Sequence, residues 1–302
     1  MSKAYNHQDT SYKAIKNLSG SEQDKINFMM DNMQENKAFL YSIKNKNNEE
    51  KKETLVDFKK RYLEYRTNWK GQPNKCFNNN IFGDELKKNN INPLCIDLEL
   101  AAVCDLACPH CFRQTVATPD KVMEKKLAFK LIDQASELNV PSMKFNWRGE
   151  PLLNPKLFEI IDYAKSKGVI ETIINTNATK LDEKNSKKII NSGLDLMIFS
   201  FDGGTKNSYE KMRPGRFKEN TFKEVIENIK TFDRVKKQMN AKYPRTKIQM
   251  VLTKDTRGEQ DEFFNLFKDI VDDVSVKQYS ERGGKLKDID DKKKNKSNKK
   301  YS

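Results

Sequence analysis

Three of the five cysteines fall within eight residues, in Cys104-Asp105-Leu106-Ala107-Cys108-Pro109-His110-Cys111, a C-x3-C-x2-C spacing. On a short loop after a strand, thiolates so spaced converge on one cubic iron–sulfur cluster, each binding one iron. Four irons shared among three cysteines leave one iron open to a small chelating molecule. Zinc is the competing reading, and it wants four closed ligands from Cys and His. His110 is poorly placed to close that tetrahedron, and Cys76 and Cys95 stand apart. A third reading leaves the three as inert core thiols.

The elements that must hold this loop begin at Leu94, where the chain settles into a regular alternation. Strand-like runs fall at Cys95–Val103, Ser142–Trp147, Glu171–Asn177, Leu194–Asp202, Lys247–Thr253 and Val274–Ser280. Between them lie helical periods. Leu127, Leu131, Ala135 and Leu138 share one face, and so do Leu157, Ile161 and Ala164 behind Asn154 as N-cap and Pro155 at the first helical position. Gly168 reads as the stop of that helix, and Gly193 closes another after Ile189 and Ile190. Phe263, Phe264, Phe267 and Val271 line the last. Six strands alternating with helices predict a parallel α/β architecture.

Strand faces favour a barrel with a working interior over an open sheet. Asp97 and Glu99, then Lys144, Asn146 and Arg148, then Asn175 and Asn177, Ser200 and Asp202, and Gln249 and Thr253 recur on one face of successive strands. Strands buried on both sides would read as nearly continuous apolar runs. Many of these polar residues sit near the C-terminal strand ends, where barrel enzymes place their sites.

Residues 1–90 form an N-terminal extension, mainly helical or irregular, with helical fragments around Glu22–Asn36 and Lys52–Arg66 and a solvated stretch from Lys44 to Glu53. Its Tyr62, Tyr65 and Trp69 are expected to pack loosely onto the core. Residues 91–283 make that core, and 284–302 a disordered basic tail with eight Lys against three Asp.

At 302 residues and 36% hydrophobic content, the chain can bury a sizeable core. No run approaches a membrane span, no signal peptide opens the chain, and an odd cysteine count argues against a disulfide framework. Cytoplasmic residence is the expectation. The formal charge of +14 comes from 47 Lys and only 10 Arg, which reads as a solvated surface, so nucleic acid is not an expected partner.

Together these residues resemble the radical S-adenosylmethionine (SAM) superfamily over roughly residues 92–282. The resemblance implies a partial (βα)6 TIM-like barrel, with a 4Fe-4S cluster on Cys104, Cys108 and Cys111. His110 fills the place where the family usually has an aromatic residue near the SAM adenine, with Phe112 just beyond Cys111. Arg148-Gly149-Glu150-Pro151 is similar to the family's Gly-Gly-Glu-Pro, so Glu150 would take the SAM amino group and Gly149 would line the methionyl part. Thr176-Asn177-Ala178 resembles Thr-Asn-Gly, and Ser200-Phe201-Asp202-Gly203 resembles Ser-x-Asp-Gly. By analogy Ser200 contacts the SAM ribose or carboxylate, Arg213 is a candidate carboxylate partner, and Asn177 and Asp202 join the cofactor site. Arg148 replaces a glycine, and either pairs with a substrate anion or makes an internal salt bridge to Asp97 or Glu99.

The implied activity is reductive cleavage of SAM followed by hydrogen abstraction from an unknown, polar substrate, with an external electron donor such as flavodoxin or ferredoxin. Within the superfamily, Trp69-Lys70-Gly71 and Gln278-Tyr279-Ser280-Glu281-Arg282-Gly283-Gly284 resemble the subset that continues into a SPASM domain. No cysteine follows Cys111, so auxiliary clusters are not expected. A truncated product or a partner docked over the barrel accounts for that departure. The alternatives are a truncated, non-catalytic Fe-S and SAM-binding relative, or a zinc-binding module.

Overall fold

A computed structural model describes residues 21–44, 53–116 and 119–279. The stretch 45–52 and the basic tail lie outside the described residues. The six strands are β1 (Cys95–Asp97), β2 (Ser142–Lys144), β3 (Glu171–Thr176), β4 (Leu196–Ser200), β5 (Arg245–Leu252) and β6 (Asp273–Gln278). They form one parallel sheet in chain order.

The N-terminal extension contributes α1 (Glu22–Asp31), α2 (Lys37–Lys44), α3 (Leu55–Asn78) and α4 (Asp84–Lys88). Successive strands are joined by helical crossovers, as parallel pairing requires. These helices are α5 (Lys125–Glu137), α6 (Leu157–Ser166), α7 (Glu183–Ser192), α8 (Lys206–Met212) with α9 (Phe222–Gln238), and α10 (Gln260–Phe267). The outward strand residues Met143, Ile174, Met197, Phe199 and Ile248 pack with Ile132, Ile160, Ile161, Ile189, Ile229 and Phe263 in one buried core. The inward residues Ile173, Asn175, Ile198, Ser200, Gln249 and Val251 are only half-buried, because they face the interior of an open barrel.

Two helix readings need correction. On α5 the buried stripe is Ala128, Ile132 and Ala135, while Leu127 and Leu138 are exposed. The packing face is one residue away from the leucines, because the small Ala128 lets the helix lie close to the sheet. The N-cap of α6 is Lys156 rather than Asn154. Asn154 is buried, and its amide donates to the carbonyls of Leu100 and Met123, so it ties the turn to the segment after β1. Gly168 and Gly193 do follow their helices in left-handed conformation, at φ 86° and 81°.

In the extension, Ser21 and Thr54 make capping boxes at α1 and α3. Helix α3 continues past Pro73 to Asn78, well beyond the expected stop near Arg66. Met29, Met33, Phe39, Phe58, Tyr62 and Tyr65 bury against Ile170 and Tyr243, at the N-terminal ends of β3 and β5. Trp69 stays partly exposed, edge-on to Tyr65.

The attachment is not loose. Buried Glu171 meets Lys25 Nζ at 2.6 Å and the Tyr65 hydroxyl at 2.8 Å. Asn36 donates to Ile170 O and to Asp195 Oδ1, and the same Asp195 accepts from Lys165 Nζ at 2.7 Å and from Thr172. The extension therefore closes the barrel end opposite the cysteine loop.

Candidate active site

The cysteine loop leaves β1 through an extended segment and enters a 3-10 turn at Phe112–Gln114. Two backbone bonds lash it to the segment after α8, from Ala107 N to Pro214 O and from Arg216 N to Asp105 O, both 2.8 Å. Asp105 adds a second tie: its carboxylate accepts from Asn177 Nδ2 at 2.8 Å and Thr179 Oγ1 at 2.6 Å. Asp120 bridges Arg113 and Arg216 across the same junction. Sequence reasoning misses Asp105, although a carboxylate inside a cysteine loop must find donors and a later strand end offers them.

Cys104, Cys108 and Cys111 are free thiols lining one cavity of about 370 Å³, a volume suited to a small-molecule site. His110, Phe112, Gly149, Glu150, Asn177, Ser200 and Arg213 share its lining. Burial pushes the Cys104 and Cys108 thiols up to about 12, and the neighbouring cysteines add to the shift.

Asp202 is not on that lining. It is fully buried, with Oδ2 at 3.0 Å from His110 Nε2 and 2.6 Å from Arg213, and Oδ1 accepting from Val251 N at 2.8 Å. Burial would raise its pKa, but the Arg213 guanidinium and His110 hold it well below the usual carboxylate range. It thus clamps the cysteine loop to the α8 junction. His110 Nδ1 and Arg213 Nε are buried with no partner.

Glu150 is 2% exposed, and no cation among the described residues pairs with it. Its carboxylate accepts from Thr176 Oγ1 and Asn177 N at 2.7 Å, and from Leu152 N at 3.1 Å. Burial nonetheless pushes it up to about 7. Gly149 is required by crowding: a Cβ there would lie 2.2 Å from Ala101 O and 2.4 Å from Val103 O. The two expectations for Arg148 resolve to the internal one, a bidentate pair with Glu99 at 2.8 and 2.9 Å.

Residues 98–267 match the Radical SAM superfamily. The chain belongs to the radical SAM superfamily. Members use a 4Fe-4S cluster and S-adenosylmethionine. A tungsten-containing aldehyde ferredoxin oxidoreductase cofactor-modifying protein of Pyrococcus furiosus is 32% identical over 108 residues, or 35% of this chain and 30% of that protein. An AdoMet-dependent heme synthase of Methanosarcina barkeri is 30% identical over 128 residues, or 41% and 36%. Among solved structures, Streptococcus suis SuiB bound to precursor peptide SuiA superposes with a TM-score of 0.55 at 23% identity, over 68% of this chain and 44% of that one. anSMEcpe with bound AdoMet gives 0.53 at 21%, over 65% and 55%. These likenesses establish the partial TIM-barrel fold. The chain spans about a third of the length of the curated relatives and about half that of the structures.

The donor set fits the family's cofactors. Among the described residues no three His, Cys, Asp or Glu side chains gather closely enough for a single metal ion. A cubic cluster makes a different demand, because each thiol takes its own iron. No helix among the described residues is long and apolar enough to cross a membrane.

Proposed function

We propose that this radical SAM protein is an enzyme in which Cys104, Cys108 and Cys111 hold the 4Fe-4S cluster and Glu150 receives the amino group of SAM. The observation that carries this reading is Glu150: a fully buried carboxylate that no cation among the described residues pairs with, in the same cavity as three free thiols. Such a group is costly until a positive ligand arrives. The α-amino group of SAM supplies that charge. Gly149 lines the cavity with its backbone seated against the Ala101–Val103 segment, where a Cβ would collide. Ser200 and Arg213 face the same space and offer a hydroxyl and a guanidinium to a carboxylate. Asn177 joins Glu150 to Asp105 and so couples the SAM side to the cysteine loop. Asp202 positions His110 and Arg213 without reaching the ligand itself.

A cluster held by Cys104, Cys108 and Cys111 would, once reduced by an external donor, supply the electron for reductive cleavage of SAM and so for hydrogen abstraction from substrate. The surrounding residues orient the cofactor and keep water from the radical. Flavodoxin or ferredoxin is the class of donor that fits. The names of the similar proteins point to a peptide as substrate or to a step in making heme. Residues 91–283 form the catalytic core in this reading, and the N-terminal extension caps its closed end.

Anaerobic reconstitution with iron and sulfide tests the reading. The expected result is about four irons per chain, a reduced-cluster paramagnetic signal that shifts on adding SAM, and release of 5′-deoxyadenosine. Cys104→Ala, Cys108→Ala or Cys111→Ala should each remove the signal. SAM binding without cleavage would mark a non-catalytic relative, and stoichiometric zinc with no iron chromophore would defeat the proposal.

A further inference from the structure

The charges lining the cavity are unbalanced. Among the described residues, Lys144, Arg148, Arg213 and Lys277 line it against a single carboxylate, Glu150. Two of these cations are already engaged by acids outside the lining, Arg148 by Glu99 and Arg213 by Asp202. Lys144 differs. It leaves β2 on the inward face and is half-buried, and no carboxylate among the described residues comes within ion-pair distance of it. Asp97, its register partner on β1, is exposed and does not pair with it.

A polar wall continues from this lysine. Asn146 lies two residues further on, past the end of β2, and lines the same cavity. Its Oδ1 accepts from Asn175 N at 2.7 Å, which fixes the two asparagines together. Asn175 Oδ1, on the same lining, is buried with no partner. An ammonium and an unsatisfied carbonyl oxygen on one cavity lining match a ligand that carries both an anion and an N–H or O–H donor.

We propose that Lys144 is a specificity-determining residue, and that the substrate enters the barrel with a carboxylate or phosphate directed at it and a donor directed at Asn175. The inference rests on the reading of this cavity as a radical SAM site. It moves the substrate's anchor from Arg148, which its replacement of a glycine in the motif had suggested, to one layer deeper in the barrel. A neutral substrate would leave the ammonium without a carboxylate partner among the described residues.

The test uses the reconstituted full chain with SAM bound, at constant ionic strength set with chloride. Lysines are labelled with an amine-reactive reagent and labelling is read peptide by peptide by mass spectrometry, with inorganic phosphate in one arm and succinate in the other. Labelling of Lys144 should fall saturably in at least one arm, about tenfold at an anion concentration ten times its dissociation constant. Lys59 and Lys70 should be unaffected. Whichever anion protects identifies the group. Lys144→Gln should also abolish any saturable anion effect on Trp147 emission, recorded with Trp69→Phe. Equal labelling in phosphate, succinate and chloride overturns the proposal. So does full protection by SAM alone, which would assign the lysine to the cofactor. Iron content and the SAM-dependent paramagnetic shift are read on the same samples, so failure of the radical SAM reading is seen separately.

Discussion

Glu150 and Glu171 are both buried, and they stand at opposite ends of the barrel with opposite electrostatics. Burial would raise both. At Glu171 the Lys25 ammonium and the Arg66 guanidinium outweigh it and hold the carboxyl below its ordinary range. At Glu150 only hydrogen bonds oppose it, and the carboxyl ends near 7. At the closed end Glu171 finds its cations within the chain, whereas at the cysteine end Glu150 has none among the described residues. In the proposed reading, the difference separates a device for stability from a device for binding.

The largest expected effect lies at the closed end. Asp195→Ala would leave Lys165 as a fully buried, unpaired ammonium and cost about 3–5 kcal/mol, read as a lower unfolding midpoint in urea. A loss below about 1 kcal/mol would mean the lattice there contributes little, and the comparison would collapse.

Next comes the pH response of Glu150 in the cofactor-free protein. The unfolded chain releases this proton near 4.5 and the folded chain near 7, so the folded state binds more protons between those values. Stability from this group should therefore fall as pH rises across that window, by about 3 kcal/mol. Glu150→Gln should flatten the dependence and weaken SAM binding. Glu171 has the opposite sign: its contribution is present above the unfolded pKa and is lost as pH falls through its depressed folded value. A Glu150→Gln protein with an unchanged pH profile would show that burial is not what sets this group apart.

The smallest effect is expected at Glu99. Its pair with Arg148 is partly exposed, so Glu99→Gln should cost about 1 kcal/mol or less in thermal unfolding. A larger loss would place Arg148 with the structural charges of the closed end.

Much of the cysteine end is legible in the sequence because its residues are constrained locally. A glycine with no room for a Cβ, a glutamate at a strand end and three cysteines on one turn each leave a mark at a fixed spacing. The six strands fall in the expected order, and their expected C-terminal ends overrun because the polar motif residues beyond Lys144 or Ser200 continue the apolar–polar alternation as loops. The closed end is not legible. Asn36, Lys165 and Asp195 lie far apart in sequence, and each alone looks like an ordinary surface residue. Nothing in the run up to Arg66 announces that α3 carries on through Pro73. The motif around Asp202 makes it a ligand contact, whereas the fold consumes its carboxylate on His110, Arg213 and Val251.

The helices beneath the strands also make the barrel a blind alley rather than a tunnel. With Ile170 and Tyr243 buried under Met29, Met33, Phe58 and Tyr62, nothing can be fed in at one end and drained from the other. Fresh and spent molecules must pass on the same side.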